Sequence, residues 1–170
     1  MAWNADATRL PYRMHSEYLR SLFLNNDFVE GRYDVEGQPI HFGDIRAPIF
    51  AVGTVKDHVA PWLSVYKINR LARTETTFLL TTGGHNAGIV TPPGHPRRKY
   101  QVHTRDVHDR YLGPRRFHLE TPYQDGSWWP EWEAWLAKRS GNRVKPPAMG
   151  APKAGYKPLL DAPGEYVLMK

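Results

Sequence analysis

The order of two short apolar runs with a helical pattern between them constrains the fold of this chain most. Residues 48–52 (PIFAV) end at Gly53 and read as a strand buried on both faces, and residues 76–81 (TTFLLT) read as a second strand. The residues between them predict a helix that begins near Pro61. Its apolar face is formed by Trp62, Val65, Ile68 and Leu71. This order favours a pair of parallel strands and an α/β fold.

Polar and ionisable side chains follow both predicted strands. Asp57 and His58 come after the first strand, and His85 and Asn86 come after the second, behind Gly83 and Gly84. Neighbouring parallel strands end on one rim, so Asp57 is predicted to lie within hydrogen-bond reach of a His85 ring nitrogen. A carboxylate there fixes the imidazole tautomer and lets the other nitrogen act as a base. His58, Gly84 and Asn86 are candidates for supporting roles. The alternative is a turn-forming Asp and an exposed His.

Composition and pattern divide the chain into three segments, 1–46, 47–140 and 141–170. In the first segment, a helix is predicted from Ser16, as the N-cap, to Asn25, and residues 33–42 predict a hairpin that turns at Glu36-Gly37. The last segment is a proline-rich tail that is predicted to be irregular, and its residues 166–168 (YVL) offer a short apolar anchor.

Composition narrows the class of protein. The chain has 170 residues, which predicts one domain, and 41% of them are hydrophobic, too many for a disordered chain. It contains no cysteine, so it has no disulfide and no thiol nucleophile, and we expect a cytoplasmic protein. No signal peptide or membrane span is predicted. The net charge of +6 is scattered over the sequence. A solvated basic surface or a site for anionic substrate groups explains this charge, and we expect no nucleic-acid partner.

The nucleophile that would complete a triad is not evident in the sequence. An Asp that precedes a His matches the last two members of the α/β-hydrolase chain order, in which the nucleophile comes first, on a G-x-[SC]-x-G turn. The serines are Ser16, Ser21, Ser64, Ser127 and Ser140, and none lies in such a turn. Asp57 and His85 are therefore predicted to be two members of a triad without a third.

Two further groups of residues need an interpretation. Trp128, Trp132 and Trp135 have the i, i+4 and i+7 spacing of one helix face, and we expect this stripe to pack on the core and not to bind a ligand. A helix is predicted over residues 130–139, with Trp132 and Trp135 buried against the sheet. The histidines at positions 95, 103, 108 and 118 have no zinc-site spacing, so we expect no metal.

Several blocks of the sequence resemble the C-terminal half of the poly(3-hydroxyalkanoate) synthases. These blocks are residues 53–62 (GTVKDHVAPW), 83–90 (GGHNAGIV), 126–141 (GSWWPEWEAWLAKRSG) and 162–167 (APGEYV). The opening WNADATRLP resembles the end of the cap region of that family. The resemblance runs through nearly the whole chain in the same order, and its DHVAPW and GSWWPEW blocks are specific.

The resemblance implies a partial α/β-hydrolase fold with a remnant of the cap. In the family, a cysteine attacks a 3-hydroxyacyl-CoA thioester, and the acyl group passes to a growing polyester. The aspartate and histidine of the family match Asp57 and His85, and its cysteine lies in the half that is absent here. The resemblance implies no cofactor beyond the CoA substrate and a location that includes the surface of a polyester granule. The expected macromolecular partners are a second copy or a chain that carries the other half. A non-catalytic interaction module and a hydrolase of the same fold are the alternatives.

Overall fold

A computed structural model describes residues 9–162, 164 and 165. The described residues form two compact units, Ser16–Ser140 and a second unit made of residues before Ser16 and after Ser140. The predicted anchor at 166–168 lies outside the described residues. The division into a cap-like segment (1–46), half of an α/β-hydrolase core (47–140) and a proline-rich tail (141–170) stays a prediction. None of the described helices is long and apolar enough to cross a membrane.

The first helix starts one turn earlier than predicted. Helix α1 spans Tyr12–Tyr18 and continues into a π-helical turn at Leu19–Leu24. The Pro11 carbonyl already accepts the His15 N–H, so Ser16 lies inside the helix and is not its N-cap. Tyr18, Leu19, Leu22 and Phe23, which helical spacing predicts on one apolar face, are not buried, and Phe23 is 67% exposed.

The predicted hairpin is confirmed. Strands β1 (Tyr33–Val35) and β2 (Gln38–Ile40) pair antiparallel around Glu36-Gly37. Both turn residues have positive φ angles, 53° and 80°, as a two-residue type I′ turn requires. The Asp34 carboxylate accepts the Gly37 N–H at 2.8 Å and closes the turn. A short 3₁₀ turn at Phe42–Asp44 follows.

The core sheet has four strands, in the order β3 (Ile49–Thr54), β4 (Thr76–Thr81), β5 (Lys99–Arg105) and β6 (Gln124–Asp125). The parallel pairing of β3 with β4 confirms the prediction, and the other two pairings are antiparallel. Strand β4 lies between β3 and β5, so all six of its residues are buried. The fold is therefore mixed α/β, which is compatible with part of an α/β-hydrolase.

Strand β3 is an edge strand, and the prediction that it is buried on both faces was wrong. Its first four residues, Ile49 to Val52, are only partly buried, and the fully buried positions are Gly53 and Thr54. The reason is its position, since β4 is the only strand that pairs with β3 among the described residues.

The helix between β3 and β4 is broken into two short pieces, not continuous as predicted. Helices α2 (Trp62–Val65) and α3 (Ile68–Leu71) are separated at Tyr66 and Lys67, and Pro61 caps the first of them. The deepest side chain is that of Tyr66, which is 2% exposed, packs on Phe78 and donates to the Leu112 carbonyl at 2.8 Å. Trp62 and Val65 of the predicted face pack on the same cluster as Tyr66. The other buried position is Asn69, whereas Ile68 and Leu71 are only partly buried.

The predicted tryptophan helix is present, but its orientation differs from the prediction. After α4 (Pro114–Glu120), helix α5 spans Trp129–Ala137. Trp128 is buried and Trp135 is partly buried against Phe50, whereas Trp132 is 44% exposed. Glu131, which lies between Trp128 and Trp135 in the sequence, accepts a hydrogen bond from the Tyr100 hydroxyl. The sheet-facing positions are therefore i, i+3 and i+7, so the predicted burial of Trp132 was wrong.

The tail is irregular, as predicted, in its described part. Residues 141–162 are exposed and include one 3₁₀ turn, Pro152–Ala154, and one isolated bridge between Ala151 and Tyr156.

Candidate functional site

The loops that follow β3 and β4 start side by side because the pairing of the strands continues past their ends. The Val55 N–H donates to the Thr81 carbonyl at 3.0 Å, and the Lys56 N–H donates to the Gly83 carbonyl at 2.8 Å. Gly83 has a φ of 117°, and a Cβ on it would lie 2.8 Å from the Cα of Gly88. The tight turn before His85 therefore depends on this glycine.

The two loops bring Asp57 and His85 into contact, as the sequence predicts. The His85 Nδ1 atom lies 3.0 Å from Oδ2 and 3.2 Å from Oδ1 of Asp57. The Asp57 side chain is 7% exposed and the His85 side chain is 47% exposed. The pair thus has a shielded carboxylate beneath an accessible imidazole.

The Asp57 carboxylate is held by its own loop as well as by His85. Its Oδ1 accepts the backbone N–H groups of Val59 at 2.9 Å and Ala60 at 2.8 Å, and its Oδ2 accepts the Thr54 hydroxyl at 3.4 Å. The hydrogen bond from Ala60, with those from His85 and Val59, outweighs the effect of partial burial and lowers the pKa of Asp57 to about 2. The carboxylate therefore stays ionised near neutral pH and orients the histidine.

This lowered pKa predicts an acid-sensitive contribution to stability. The folded pKa of about 2 lies below the ordinary 3.8, so the unfolded chain binds more protons between these values. The contribution of Asp57 is complete above pH 3.8 and is lost as the pH falls toward 2. We expect the free energy of unfolding, measured by urea titration, to fall less steeply between pH 4 and pH 2 in Asp57→Asn than in the wild type. Equal slopes would contradict the proton-linked role of Asp57.

The arrangement is suited to general base catalysis. Because Asp57 is an ionised acceptor, the Nδ1 atom of His85 carries the proton that the two share, and the lone pair of the imidazole is on Nε2. Within the described part of the chain, Nε2 has no hydrogen-bond partner. A base of this kind accepts a proton from a thiol, a hydroxyl or water that reaches the exposed ring.

The three predicted supporting residues differ in what they do. The His58 side chain is exposed and makes no hydrogen bond among the described residues. Gly84 contributes its carbonyl, which accepts the Gly88 N–H at 2.9 Å, and a Cβ on it would meet only ordinary contact, so the tight turn requires Gly83 and not Gly84. Asn86 closes the next turn through its carbonyl, which accepts from Val90 at 2.9 Å. Their contribution to chemistry stays a prediction.

The sequence did not indicate that two consecutive tryptophans at the start of α5 hold the His85 loop. The Trp128 indole N–H donates to the Gly88 carbonyl at 3.2 Å, and that of Trp129 donates to the Ile89 carbonyl at 2.9 Å. The GSWWPEW block that carried the family resemblance was the available signal. The helical spacing assigns Trp128 and Trp132 of this block to a core stripe and gives Trp129 no role. No group of three or more possible metal ligands is found among the described residues.

Comparison with known proteins agrees with the resemblance. No family model matches the chain. A poly(3-hydroxyalkanoate) polymerase of Methylorubrum extorquens is 38% identical to it over 174 residues, which cover 99% of this chain and 27% of the polymerase. The poly(3-hydroxyalkanoate) polymerase subunit PhaC of Cupriavidus necator is 35% identical over 169 residues, 99% of this chain and 28% of the subunit. Nearly the whole chain therefore matches a part of poly(3-hydroxyalkanoate) polymerases.

This chain matches only a part of each polymerase. A further member of the family, poly(3-hydroxyalkanoate) polymerase 2 of Ectopseudomonas oleovorans, is 36% identical over 168 residues, 99% of this chain and 29% of that protein. The chain therefore spans between a quarter and a third of the length of these polymerases.

Proposed function

We propose that this chain supplies the aspartate and histidine of a polymerase active site whose nucleophile is carried elsewhere. The observation that carries the proposal is the contact of His85 with the shielded, ionised carboxylate of Asp57 at the carboxyl ends of two parallel strands. The reaction is acyl transfer from a 3-hydroxyacyl-CoA to a growing polyester, and the chain needs no cofactor besides this substrate. The chain itself contains no cysteine, and none of its serines lies in a G-x-S-x-G turn.

The proposed steps balance around one proton. His85 Nε2 removes the proton of the cysteine thiol, and the thiolate attacks the thioester carbonyl. The bond to the CoA sulfur breaks, and the imidazolium returns the proton to that sulfur. In the transfer step, the imidazole removes the proton of a 3-hydroxyl group, whose oxygen attacks the acyl-enzyme carbonyl. The bond from the acyl carbon to the cysteine sulfur breaks, and the imidazolium returns the proton to that sulfur. Asp57 stays ionised and stabilises the imidazolium in both steps.

The free edge of β3 is the proposed interface with the polypeptide that carries the nucleophile. Among the described residues, no strand pairs with this edge, and such an edge pairs readily with another strand. The adjoining Ile49, Phe50 and Val52 side chains are only partly buried, and Pro48 blunts only the start of the edge. A polypeptide with the missing strands covers this surface, and without it a second copy of the chain takes its place. The complex works in the cytoplasm at the surface of a polyester granule.

The exposed edge predicts self-association. We expect the purified chain to sediment as a concentration-dependent oligomer, and Val52→Lys, which places a charge on the partly buried edge strand, to shift it toward monomer. A matched lysine at Val144, which is 85% exposed in the tail, leaves the oligomer unchanged. A wild-type chain that sediments as a monomer at every concentration would speak for a self-sufficient domain.

Mixing tests the proposed function. The partner is the Cupriavidus necator polymerase shortened to end where its match to this chain begins. We expect no release of CoA from 3-hydroxybutyryl-CoA by either part alone and measurable release by the mixture.

A non-catalytic interaction module is the second candidate, and the absence of a cysteine and of a serine elbow in the chain favours it. Binding without CoA release would support that candidate. CoA release by the chain alone would show that it carries its own nucleophile.

A further inference from the structure

The loop that carries His85 is fastened at its far end by a set of hydrogen bonds that the proposed chemistry does not use. We call the donors, Ser127, Trp128 and Trp129, the tryptophan clamp. Their side chains donate to the carbonyl oxygens of Thr91, Gly88 and Ile89 respectively. The Ser127 hydroxyl also accepts the Trp129 backbone N–H at 3.1 Å, so the three donors form one connected unit.

The acceptors of the clamp are themselves tied together. The Thr91 hydroxyl lies 3.0 Å from the carbonyl oxygens of both Ala87 and Gly88, and Thr91 is fully buried. The Gly88 carbonyl accepts from Trp128 and shares the single Thr91 hydroxyl proton with the Ala87 carbonyl. These contacts restrict the orientation of the peptide at Gly88.

Gly88 connects the clamp to the Asp57–His85 pair on two sides. Its N–H donates to the Gly84 carbonyl, directly before His85, at 2.9 Å. Its Cα packs on Thr54, since an added Cβ would lie 2.6 Å from the Thr54 methyl group. Thr54 in turn donates its hydroxyl to Asp57. A shift of Gly88 is thus transmitted to both members of the pair.

We propose that the indole N–H groups of Trp128 and Trp129 are positioning groups that hold the His85 ring against Asp57. The catalytic meaning of this assignment rests on the proposed function, but the geometry that it describes does not. His85 is half exposed and, apart from Asp57, no described side chain bonds to its ring. Its orientation therefore depends on the backbone of its loop, and the clamp fixes that backbone.

Helix α5 offers a matched comparison for this role. Trp135 lies in the same helix as Trp129, and its indole N–H is buried without a hydrogen-bond partner among the described residues. Replacement of either tryptophan by phenylalanine removes an indole N–H and keeps an aromatic ring. Only the replacement of Trp129 removes a bond to the His85 loop.

The test measures the tautomer of His85 in the full chain, without a partner or a substrate. Nitrogen-15 chemical shifts of the imidazole at pH 8.5, where an ordinary histidine ring is neutral, give the ratio of the Nδ1–H to the Nε2–H form. We expect Nδ1–H to dominate in the wild type. Trp129→Phe lowers the ratio by roughly two- to tenfold, the factor that the loss of one ordinary hydrogen bond produces. Trp135→Phe leaves the ratio unchanged.

Ser127→Ala provides a second variant, which removes one clamp donor without altering a ring and is expected to lower the ratio in the same direction. If Trp129→Phe does not fold, Ser127→Ala tests the positioning role instead. A wild-type ratio in every folded variant of Trp129 and Ser127 overturns the proposal, as does an equal change in Trp135→Phe. Because the measurement uses no nucleophile, a lowered ratio together with an inactive mixture would refute the proposed function and leave the positioning role intact.

Discussion

In a mixture of this chain with the nucleophile-bearing part of a polymerase, His85→Ala lowers the rate of CoA release by about 10²–10⁴-fold, the usual contribution of a positioned general base. The reason is that Nε2 of His85 is the proposed proton acceptor and Asp57 already occupies Nδ1. Asp57→Asn is expected to lower the rate as well, because an amide does not fix the same tautomer. The measurement is the initial rate of thiol release at saturating partner.

The matched control is His108→Ala. His108 is an exposed histidine that follows β5, and the antiparallel register of β4 and β5 pairs Arg105 with Thr76, at the opposite end of β4 from His85. We expect a wild-type rate for this variant. If the rates of His85→Ala and His108→Ala were equal, the assignment of the base would be wrong.

The second large effect concerns stability, and it separates two tryptophans that are four residues apart. Trp128 is 6% exposed and packs with Leu79 and Tyr100, so Trp128→Ala is expected to cost about 3–5 kcal/mol in the free energy of unfolding. Trp132 is 44% exposed, and its ring is tilted against that of Trp128 with the centroids 6.0 Å apart, so Trp132→Ala is expected to cost less than about 1.5 kcal/mol. Urea unfolding of the two variants measures both values.

A cost for Trp132→Ala that equals the cost for Trp128→Ala would place Trp132 in the core and restore the helix orientation that the sequence predicts. Leu136→Ala is a useful companion, because Leu136 is 39% exposed and lies near the end of the same helix. We expect its cost to be small too. A large cost would indicate that α5 is rotated relative to the orientation described above.

The central elements of the site were predictable because each depends on a local pattern. An apolar run that ends in glycine identified β3 and β4, and parallel pairing of these strands brings the two following loops together wherever the rest of the chain lies. The proximity of the two loops that carry Asp57 and His85 follows from that pairing. The hairpin at Glu36-Gly37 was predictable for the same reason, since two residues fix its turn.

The remaining features depend on contacts between distant residues, which periodicity does not encode. The orientation of α5 is fixed by Trp128 entering the core beside Tyr100 and by Trp135 meeting Phe50, so the inward spacing differs from the one that the tryptophans suggest. Strand β5 was missed because its run, KYQVHTR, mixes charged and polar residues with few apolar ones. Its Gln101 is nevertheless fully buried, since its amide binds the His118 and Thr121 carbonyls.

The edge position of β3 has a similar origin. The run at 48–52 is apolar enough for a central strand, yet the strand is only partly buried because one of its sides has no neighbouring strand among the described residues. A sequence pattern reports what a strand is suited to pack against. It does not report whether the packing partner belongs to the same polypeptide.

The most direct test of the central claim is to detect the acyl group on the partner. The nucleophile-bearing part of the Cupriavidus necator polymerase is incubated with 3-hydroxybutyryl-CoA in the presence of the wild-type chain, of His85→Ala, or of no added chain, and its intact mass is measured. We predict that one 3-hydroxybutyryl group is added only when the wild-type chain is present. Equal acylation of the partner in all three samples would show that His85 is not the base and would contradict the account.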